Sequence, residues 1–181
     1  YQFELTFSDE QLAQLDAPEQ LSRDLHARTY VPGFLGLNNT AHHEAINVVL
    51  QALSHVAPLR DFFLRRKPGS DGTELLRRFG TLVRRLWNPR AFKRQVSPHE
   101  FLQQVSQASH GRFTASEACD PVDFLGWLLN QLHRDLVGGS ASMARKTSSI
   151  ITDIFQGAMR LETQNVAVRT GLEESASSAV R

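Results

Sequence analysis

Three consecutive residues, His42, His43 and Glu44, carry groups that bind metals or transfer protons. A zinc-protease helix needs a second histidine four residues after the first, but Asn47 stands there. Adjacent side chains also point to different sides of a helix, and Glu44 has no matched acid in view for acid–base catalysis. We therefore expect no metal and no cofactor, and interpret the three residues as the exposed first turn of a helix.

Cys119 is the only cysteine of the 181 residues. A nucleophilic thiol needs a histidine, a basic neighbour or a helix amino terminus to become a thiolate. Cys119 directly precedes Asp120 and has no such partner nearby in sequence, so we expect a structural role for it. A single cysteine excludes an intrachain disulfide and a four-cysteine zinc site, and suits a reducing compartment.

The formal net charge is only +1, but the charges are unevenly distributed. Eleven Arg or Lys and three Asp or Glu lie between residues 60 and 94, an imbalance that can mark an anionic partner. The candidate contacts are Arg77, Arg78, Arg84 and Arg85, which lie off the apolar face of the helix predicted there. The alternative is an inert solvated face. We expect no exposed aromatic residues among the arginines, and therefore no sequence-specific RNA reading.

The remaining pattern predicts several helices. Apolar residues over about 40–56 occur on more than one side, which predicts a helix buried nearly all round. Residues 75–87 follow the i, i+3/i+4, i+7 spacing of one helical face. Ser97 and Asp120, each followed by proline, predict the caps of two more helices, and Ser8 with Gln11 predicts a short one.

The carboxy-terminal part predicts strands. Isoleucines and apolar neighbours over 150–155 and 159–161 indicate two strands, and 166–168 indicates another. Residues 171–181, rich in Ser, Ala and Glu, are expected to be mobile. Helices first and strands last favour an α+β fold. No run approaches the ~20 apolar residues of a membrane span, so no membrane partner is expected.

The stretch from Gly36 to Gln51 resembles the cysteine box of the ubiquitin-specific proteases, G-L-x-N-x-G-N-T-C-Y-M-N-S-x-L-Q. The identical positions are Gly36, Leu37, Asn39, Asn47, Leu50 and Gln51. The resemblance places Glu44 at the nucleophilic cysteine and His42 at the asparagine of the oxyanion hole. Residues 120–133 and 155–157 resemble the family's second box and the first strand of its fingers region.

Several segments resemble, more narrowly, the catalytically inactive spliceosomal branch of that family, in which an acid replaces the nucleophile. They are residues 35–39, 49–54, 86–90, 96–100 and 122–125. The resemblance implies a papain-like fold, mainly its helical thumb with the first strands of the fingers and palm. It divides the chain into an amino-terminal lead-in (1–30), the amino-terminal half of an inactive protease-like domain (31–170) and the tail (171–181). The family's histidine box and this branch's zinc finger are not found in these residues.

The resemblance also implies a function. Members of this branch act as non-catalytic scaffolds in pre-mRNA splicing, in the nucleus, and assemble or stabilise the tri-snRNP through protein contacts. Three alternatives remain: a non-catalytic ubiquitin-binding module, an active cysteine deubiquitinase, and an RNA-binding module that uses the four arginines. Tri-snRNP proteins are thus the expected partners, with the RNA backbone and ubiquitin as further candidates.

Overall fold

The computed structural model of the chain describes residues 6–16, 21–67, 72–138 and 140–163. Helices make up most of these residues, and the few strands are two residues long. The elements are α1 (Asp9–Leu15), β1 (Ser22–Arg23), β2 (Thr29–Tyr30), β3 (Gly36–Leu37), α2 (Glu44–Ser54), α3 (Ala57–Arg65), α4 (Glu74–Leu86), β4 (Gln95–Val96), α5 (His99–Ala108), α6 (Pro121–Leu136), α7 (Ala141–Ala144) and α8 (Ile150–Phe155).

The strands form two separate pairs. β1 and β2 are antiparallel, with Ser22 opposite Tyr30. β3 and β4 are parallel, with Gly36 opposite Gln95 and Leu37 opposite Val96. Because β4 comes after α2, α3 and α4, this second pair ties the turn before α2 to a distant part of the chain.

The core lies between the helices. α4 packs on α3, α5 and α6, and α2 packs on α3 and α6. Phe63, Phe79 and Phe101 form a chain of ring contacts at its centre, with centroids 5.0 and 5.7 Å apart. Phe7 and Leu12, from the predicted lead-in, are buried in the same core. Burial of such aromatic side chains is the main stabilisation of a helical layer of this size.

Several predicted helix starts are confirmed. Ser8 and Gln11 form a reciprocal capping box at α1. Asp120 caps α6, because its side chain accepts hydrogen bonds from the backbone N–H groups of Val122 and Asp123 at 2.7 and 3.0 Å. The apolar face predicted for residues 75–87 is buried along α4. Capping residues and hydrophobic periodicity, both short-range signals, were sufficient to predict these elements.

The strands predicted over 150–155 and 159–161 are wrong. Residues 150–155 form α8, which starts with a capping box between Ser149 and Thr152 and buries Ile151. Residues 156–163 form neither helix nor strand. Isoleucine favours strands by propensity, but the one-face spacing of 150, 151 and 154 also fits a helix, and packing against α3 and α6 decides between them.

Two further predictions need correction. α2 begins at Glu44 rather than near residue 40, and it is buried on one face only, since Val48 is 65% exposed. α5 begins at His99 with Pro98 as its cap residue, and no side chain caps it. Ser97 therefore does not form the predicted capping box.

The predicted strand over 166–168 and the predicted tail over 171–181 lie outside the described residues. Across the described ranges, no helix combines the length and the apolar character needed to span a bilayer. The division of the chain at residues 31 and 170 stays a prediction.

Candidate functional site: the turn before α2

Backbone pairing with β4 holds the turn that leads into α2. Gly36 donates its N–H to the carbonyl of Arg94 at 3.0 Å, and Asn38 donates to the carbonyl of Val96 at 2.9 Å. At the other end of the turn, His42 donates its N–H to the carbonyl of Ala115 at 3.1 Å. The turn is therefore positioned by residues far away in sequence, which is why helical periodicity placed the start of α2 too early.

Side chains from α2 reach back to the strand and turn. Asn47 donates its Nδ2 to the carbonyl of Asn38 at 3.3 Å, and Gln51 donates its Nε2 to the carbonyl of Leu35 at 2.8 Å. Residues four apart lie on the same face of a helix, so the two amides act together. This gives a structural reason for two of the residues that match the cysteine box.

His43 is only 2% exposed, so the predicted exposed first turn is wrong at this residue. Its Nε2 lies 3.1 Å from the carbonyl of Asn38, which can only accept, so this nitrogen carries the proton. Its Nδ1 and the Oδ1 of Asn47 are buried and have no hydrogen-bond partner among the described residues. His43 thus helps to hold the turn, a role for which the sequence contained no clear signal.

Glu44 is the first residue of α2 and is exposed. Its Oε1 accepts a hydrogen bond from Asn39 Nδ2 at 2.7 Å. Hydrogen bonds from the Glu44 backbone N–H and from Asn39 lower the pKa of this carboxyl, and they outweigh the opposing effect of burial. The helix amino terminus favours the same negative charge. The group is a carboxylate at neutral pH, with no thiol chemistry available to it.

The other position that the resemblance singles out, His42, is exposed. An oxyanion hole needs hydrogen-bond donors aimed at the developing charge. The backbone N–H of His42 is already bonded to Ala115, so it is not free to serve as such a donor.

Cys119 is half-buried just before α6. Burial raises the pKa of its thiol, and the nearby Asp120 and Asp123 raise it further. Both effects disfavour the thiolate, which is the reactive form of cysteine.

His133, in the second family segment, was expected to pack or cap, and this is confirmed. Its ring lies 2.7 Å from the Ser149 hydroxyl and 2.7 Å from the carbonyl of Ala144. The buried imidazole therefore joins α6 to α7 and to the cap of α8.

The four candidate arginines of α4 are largely occupied within the fold. Arg77 and Arg78 pair with Glu74, and Arg78 and Arg85 pair with Glu100. These charges are shared between partners inside the chain, which weakens the local positive field.

Arg84 does not lie off the buried face, contrary to expectation. It is buried, and its guanidinium donates to the carbonyl of Arg66. One aromatic residue of the basic stretch, Phe92, is 62% exposed, whereas Phe79 and Trp87 are buried as expected. Contact between the α4 arginines and an anionic partner stays a prediction.

The strand pair, the turn and the start of α2 are thus held together by hydrogen bonds, with the Glu44 carboxylate at the first residue of the helix. Among the described residues, no cluster of three or more His, Cys, Asp or Glu could hold a metal ion. The class of protein defined by this turn and its helical layer is a ubiquitin-protease-like domain.

Comparison with known proteins identifies the family. A family model described as ubiquitin carboxyl-terminal hydrolase matches residues 35–170. The human protein "Ubiquitin carboxyl-terminal hydrolase 39" is 46% identical, over 92% of this chain and 30% of its own length. "Probable mRNA-splicing protein ubp10" from Schizosaccharomyces pombe is 44% identical, over 89% of this chain and 32% of its own length. The chain belongs to the ubiquitin carboxyl-terminal hydrolase family.

A solved structure supports the same fold. The crystal structure of an essential yeast splicing factor superposes with a TM-score of 0.61 at 31% sequence identity, over 72% of this chain and 31% of that one. The papain-like ubiquitin-protease fold, mainly helical with few strands, is thereby confirmed. The chain spans about 30% of the length of the human relative.

Proposed function

We propose that this chain is part of a catalytically inactive ubiquitin-protease-like protein that acts as a scaffold in pre-mRNA splicing in the nucleus. The observation that supports the proposal is Glu44, a hydrogen-bonded carboxylate at the start of α2, where the resemblance to the cysteine box places the family's nucleophile. A carboxylate cannot form the thioester intermediate of a cysteine protease. The names of two similar proteins, from a fission yeast and from a solved yeast structure, point to splicing.

The partners are proposed to be proteins of the spliceosomal tri-snRNP. Scaffolding needs a stable fold and accessible surfaces, and it does not need a nucleophile. The pairing of β3 with β4 and the hydrogen bond from Gln51 on α2 to Leu35 stabilise such a fold around the turn before α2. The site and the relatives together support this function, because a fold alone does not determine function.

One experiment tests the loss of catalysis. The full-length protein is incubated with a ubiquitin probe whose carboxy-terminal electrophile reacts with a catalytic thiolate. We expect no covalent product, and none for the Glu44→Gln variant. Labelling that disappears in Cys119→Ala would contradict the proposal, because it would identify an active cysteine deubiquitinase.

A second experiment tests the scaffold role. The tagged full-length protein is used to capture partners from nuclear extract, with tag alone as control. We expect tri-snRNP proteins to be retained after nuclease treatment, since protein contacts do not need RNA. Loss of all of them on nuclease treatment would favour RNA as the partner. Recovery of ubiquitin conjugates without splicing proteins would favour a ubiquitin-binding module.

A further inference from the structure

A groove of about 640 Å³ opens between the β1–β2 hairpin and the segment that leads into β4. The residues that line it include Arg28, Phe34, Lys93 and Arg94, and none of them is acidic. The lining does not include Glu44, so the groove is distinct from the nucleophile turn. Ligand sites on proteins are usually concave surfaces of this size that combine apolar walls with a few charged groups.

Its cations are held in place by one buried carboxylate. Asp24 accepts hydrogen bonds from the backbone N–H groups of His26 and Arg28, both at 2.9 Å, and from Arg28 Nε at 3.0 Å. Arg94 Nε lies 3.8 Å from the same carboxylate. Both arginine side chains remain about half exposed. Lys93 is exposed and has no side-chain partner among the described residues, so positive charge remains in excess along the groove.

One large apolar side chain of the groove lining is exposed: Phe34, at 73%. Two more exposed apolar residues adjoin lining residues in sequence, Leu25 before His26 and Phe92 before Lys93, at 70% and 62%. The backbone N–H of Leu25 donates to the carbonyl of Phe92 at 3.3 Å, so the two segments are tied together. Single exposed apolar residues are ordinary on a protein surface, but several on adjoining segments indicate an interaction site.

The walls of the groove are tied to the core. The Tyr30 hydroxyl donates to the carbonyl of Asn88 at 3.0 Å and accepts from the N–H of Ala91 at 2.7 Å. Gly33, with φ of 90°, donates its N–H to the carbonyl of Leu86 at 2.8 Å. This holds Phe34 at the tip of a tight turn. A preformed groove loses little conformational entropy on binding.

We propose that this groove binds an acidic protein segment that carries apolar anchor residues. Carboxylates of the segment would pair with the guanidinium groups of Arg28 and Arg94 and with the Lys93 ammonium, which acts as a point charge. The apolar anchors would cover Phe34 and Leu25. The segment approaches a surface without competing acids, so charge complementarity both steers it and selects it.

Single-stranded RNA fits the groove less well. RNA-binding surfaces use aromatic rings as stacking platforms for successive bases. Leu25 offers no such platform, and the two exposed rings, Phe34 and Phe92, lie on different segments, with Phe34 also in contact with His55 at 5.0 Å between ring centroids. A mixed set of aliphatic and aromatic side chains matches the side chains of a protein segment better.

The test measures binding of a fluorescein-labelled synthetic peptide, with a central Phe-Leu pair flanked by Asp and Glu, to the purified chain by anisotropy. We expect saturable binding that weakens with added salt. Phe34→Ala should weaken it about tenfold and Lys93→Glu roughly fivefold, as for a buried anchor and a rim charge. Both residues are exposed, so both variants should keep the melting temperature of the parent chain.

Matched controls come from other surfaces of the chain. Val122 on α6 is exposed to the same degree as Phe34, and Lys146 after α7 is an exposed cation outside the groove. Val122→Ala and Lys146→Glu should bind the peptide as tightly as the parent chain. Equal losses in these controls would mean that the peptide binds through general charge and not in the groove.

Three results would overturn the proposal. The parent chain binds no peptide; or a peptide with Asn and Gln in place of the acids binds equally well; or an oligouridine binds more tightly and is lost in Phe34→Ala and Lys93→Glu. The last result would assign the groove to RNA. None of these results bears on the nuclear-extract experiment, because peptide binding is measured on the isolated chain.

Discussion

The α4 face and the groove beside β4 are two basic surfaces of one chain that differ in accessibility. On α4, three of the four arginines form ion pairs with Glu74 or Glu100, and the fourth, Arg84, is buried. In the groove, one buried carboxylate, Asp24, serves two arginines, and Lys93 has no partner among the described residues. A high local count of cations therefore predicts a binding surface only when their acidic partners are known.

The difference has a physical cause. Glu74 lies on α4 itself, one helical turn before Arg78, and Glu100 lies on the adjacent α5. Both acids are therefore within reach of the flexible arginine side chains. The groove cations lie on loops and strand ends, whose backbone is held by hydrogen bonds to other segments. Their side chains point into an open groove next to exposed aromatic rings. We expect the following changes to separate the two surfaces, beginning with the largest effect.

Gly33→Ala should have the largest effect, because it breaks the wall of the groove. A Cβ at this position would lie 2.7 Å from the Trp87 ring, and the backbone has a φ of 90° that disfavours alanine. Overpacking and left-handed strain together should lower the free energy of unfolding by about 3 kcal/mol. Urea denaturation measures this. Gly126→Ala, where nothing lies within 4 Å of the added atom, is the control. Equal losses in the two variants would contradict the assignment.

Arg60→Met should come next, since Arg60 belongs to the basic stretch but is a purely internal cation. Its guanidinium pairs with Asp16 and Asp61, each at 2.7 Å, and lies 4.5 Å from the Trp87 ring centroid. Methionine keeps the packing but removes the charge, so we expect a loss of about 2 kcal/mol in unfolding free energy.

Arg65→Met on the same helix is the matched control for Arg60→Met. Arg65 is exposed and pairs with the exposed Asp9. Exposed pairs contribute roughly 0–1 kcal/mol, so this variant should unfold almost like the parent chain. If both variants lose the same stability, burial does not distinguish the two arginines.

Asp24→Asn should change how stability depends on pH. Burial opposes ionisation of Asp24, but the N–H groups of Arg28 and His26 and the Arg28 guanidinium outweigh it and hold the pKa below its ordinary value of 3.8. The stabilisation is therefore complete above that value and is lost as the pH falls through the lower, folded-state pKa.

The measurement is urea unfolding of Asp24→Asn and the parent chain at a series of acidic pH values. The parent chain should lose more stability than the variant as the pH falls below 3.8. Asparagine keeps an oxygen for the two backbone N–H groups, so the hairpin itself should survive. Parallel pH profiles would show that the Asp24 carboxylate does not hold the groove cations.

Glu100→Gln should have the smallest effect on stability. Its partners Arg78 and Arg85 are partly exposed, so the loss should be below about 1 kcal/mol. The loss of one acid should make α4 more attractive to polyanions, seen as elution from heparin at a higher salt concentration. Glu117→Gln, an exposed acid outside these pairs, is the control. Identical elution of the two variants would show that Glu100 does not mask α4.

Local sequence was sufficient to predict the elements that depend on short-range signals. The caps at Ser8 and Asp120 and the apolar stripe of α4 were predicted because each depends on residues within a few turns. It was insufficient for α8, where isoleucine propensity favoured a strand and contacts with α3 and α6 favour a helix. It also misplaced the start of α2, because hydrogen bonds from the preceding turn to the carbonyls of Arg94, Val96 and Ala115 hold that turn.

The sequence by itself determined that position 44 holds a carboxylate and not a thiol, and that Cys119 has no activating neighbour, because chemical identity and close sequence context decide reactivity. The tertiary structure alone decided which charges remain accessible. Glu100 reaches Arg78 across two helices, while Phe34 and Lys93 are left facing solvent by contacts distant in sequence. Accessibility depends on which segments pack together, and the spacing of residues along the chain does not contain that information.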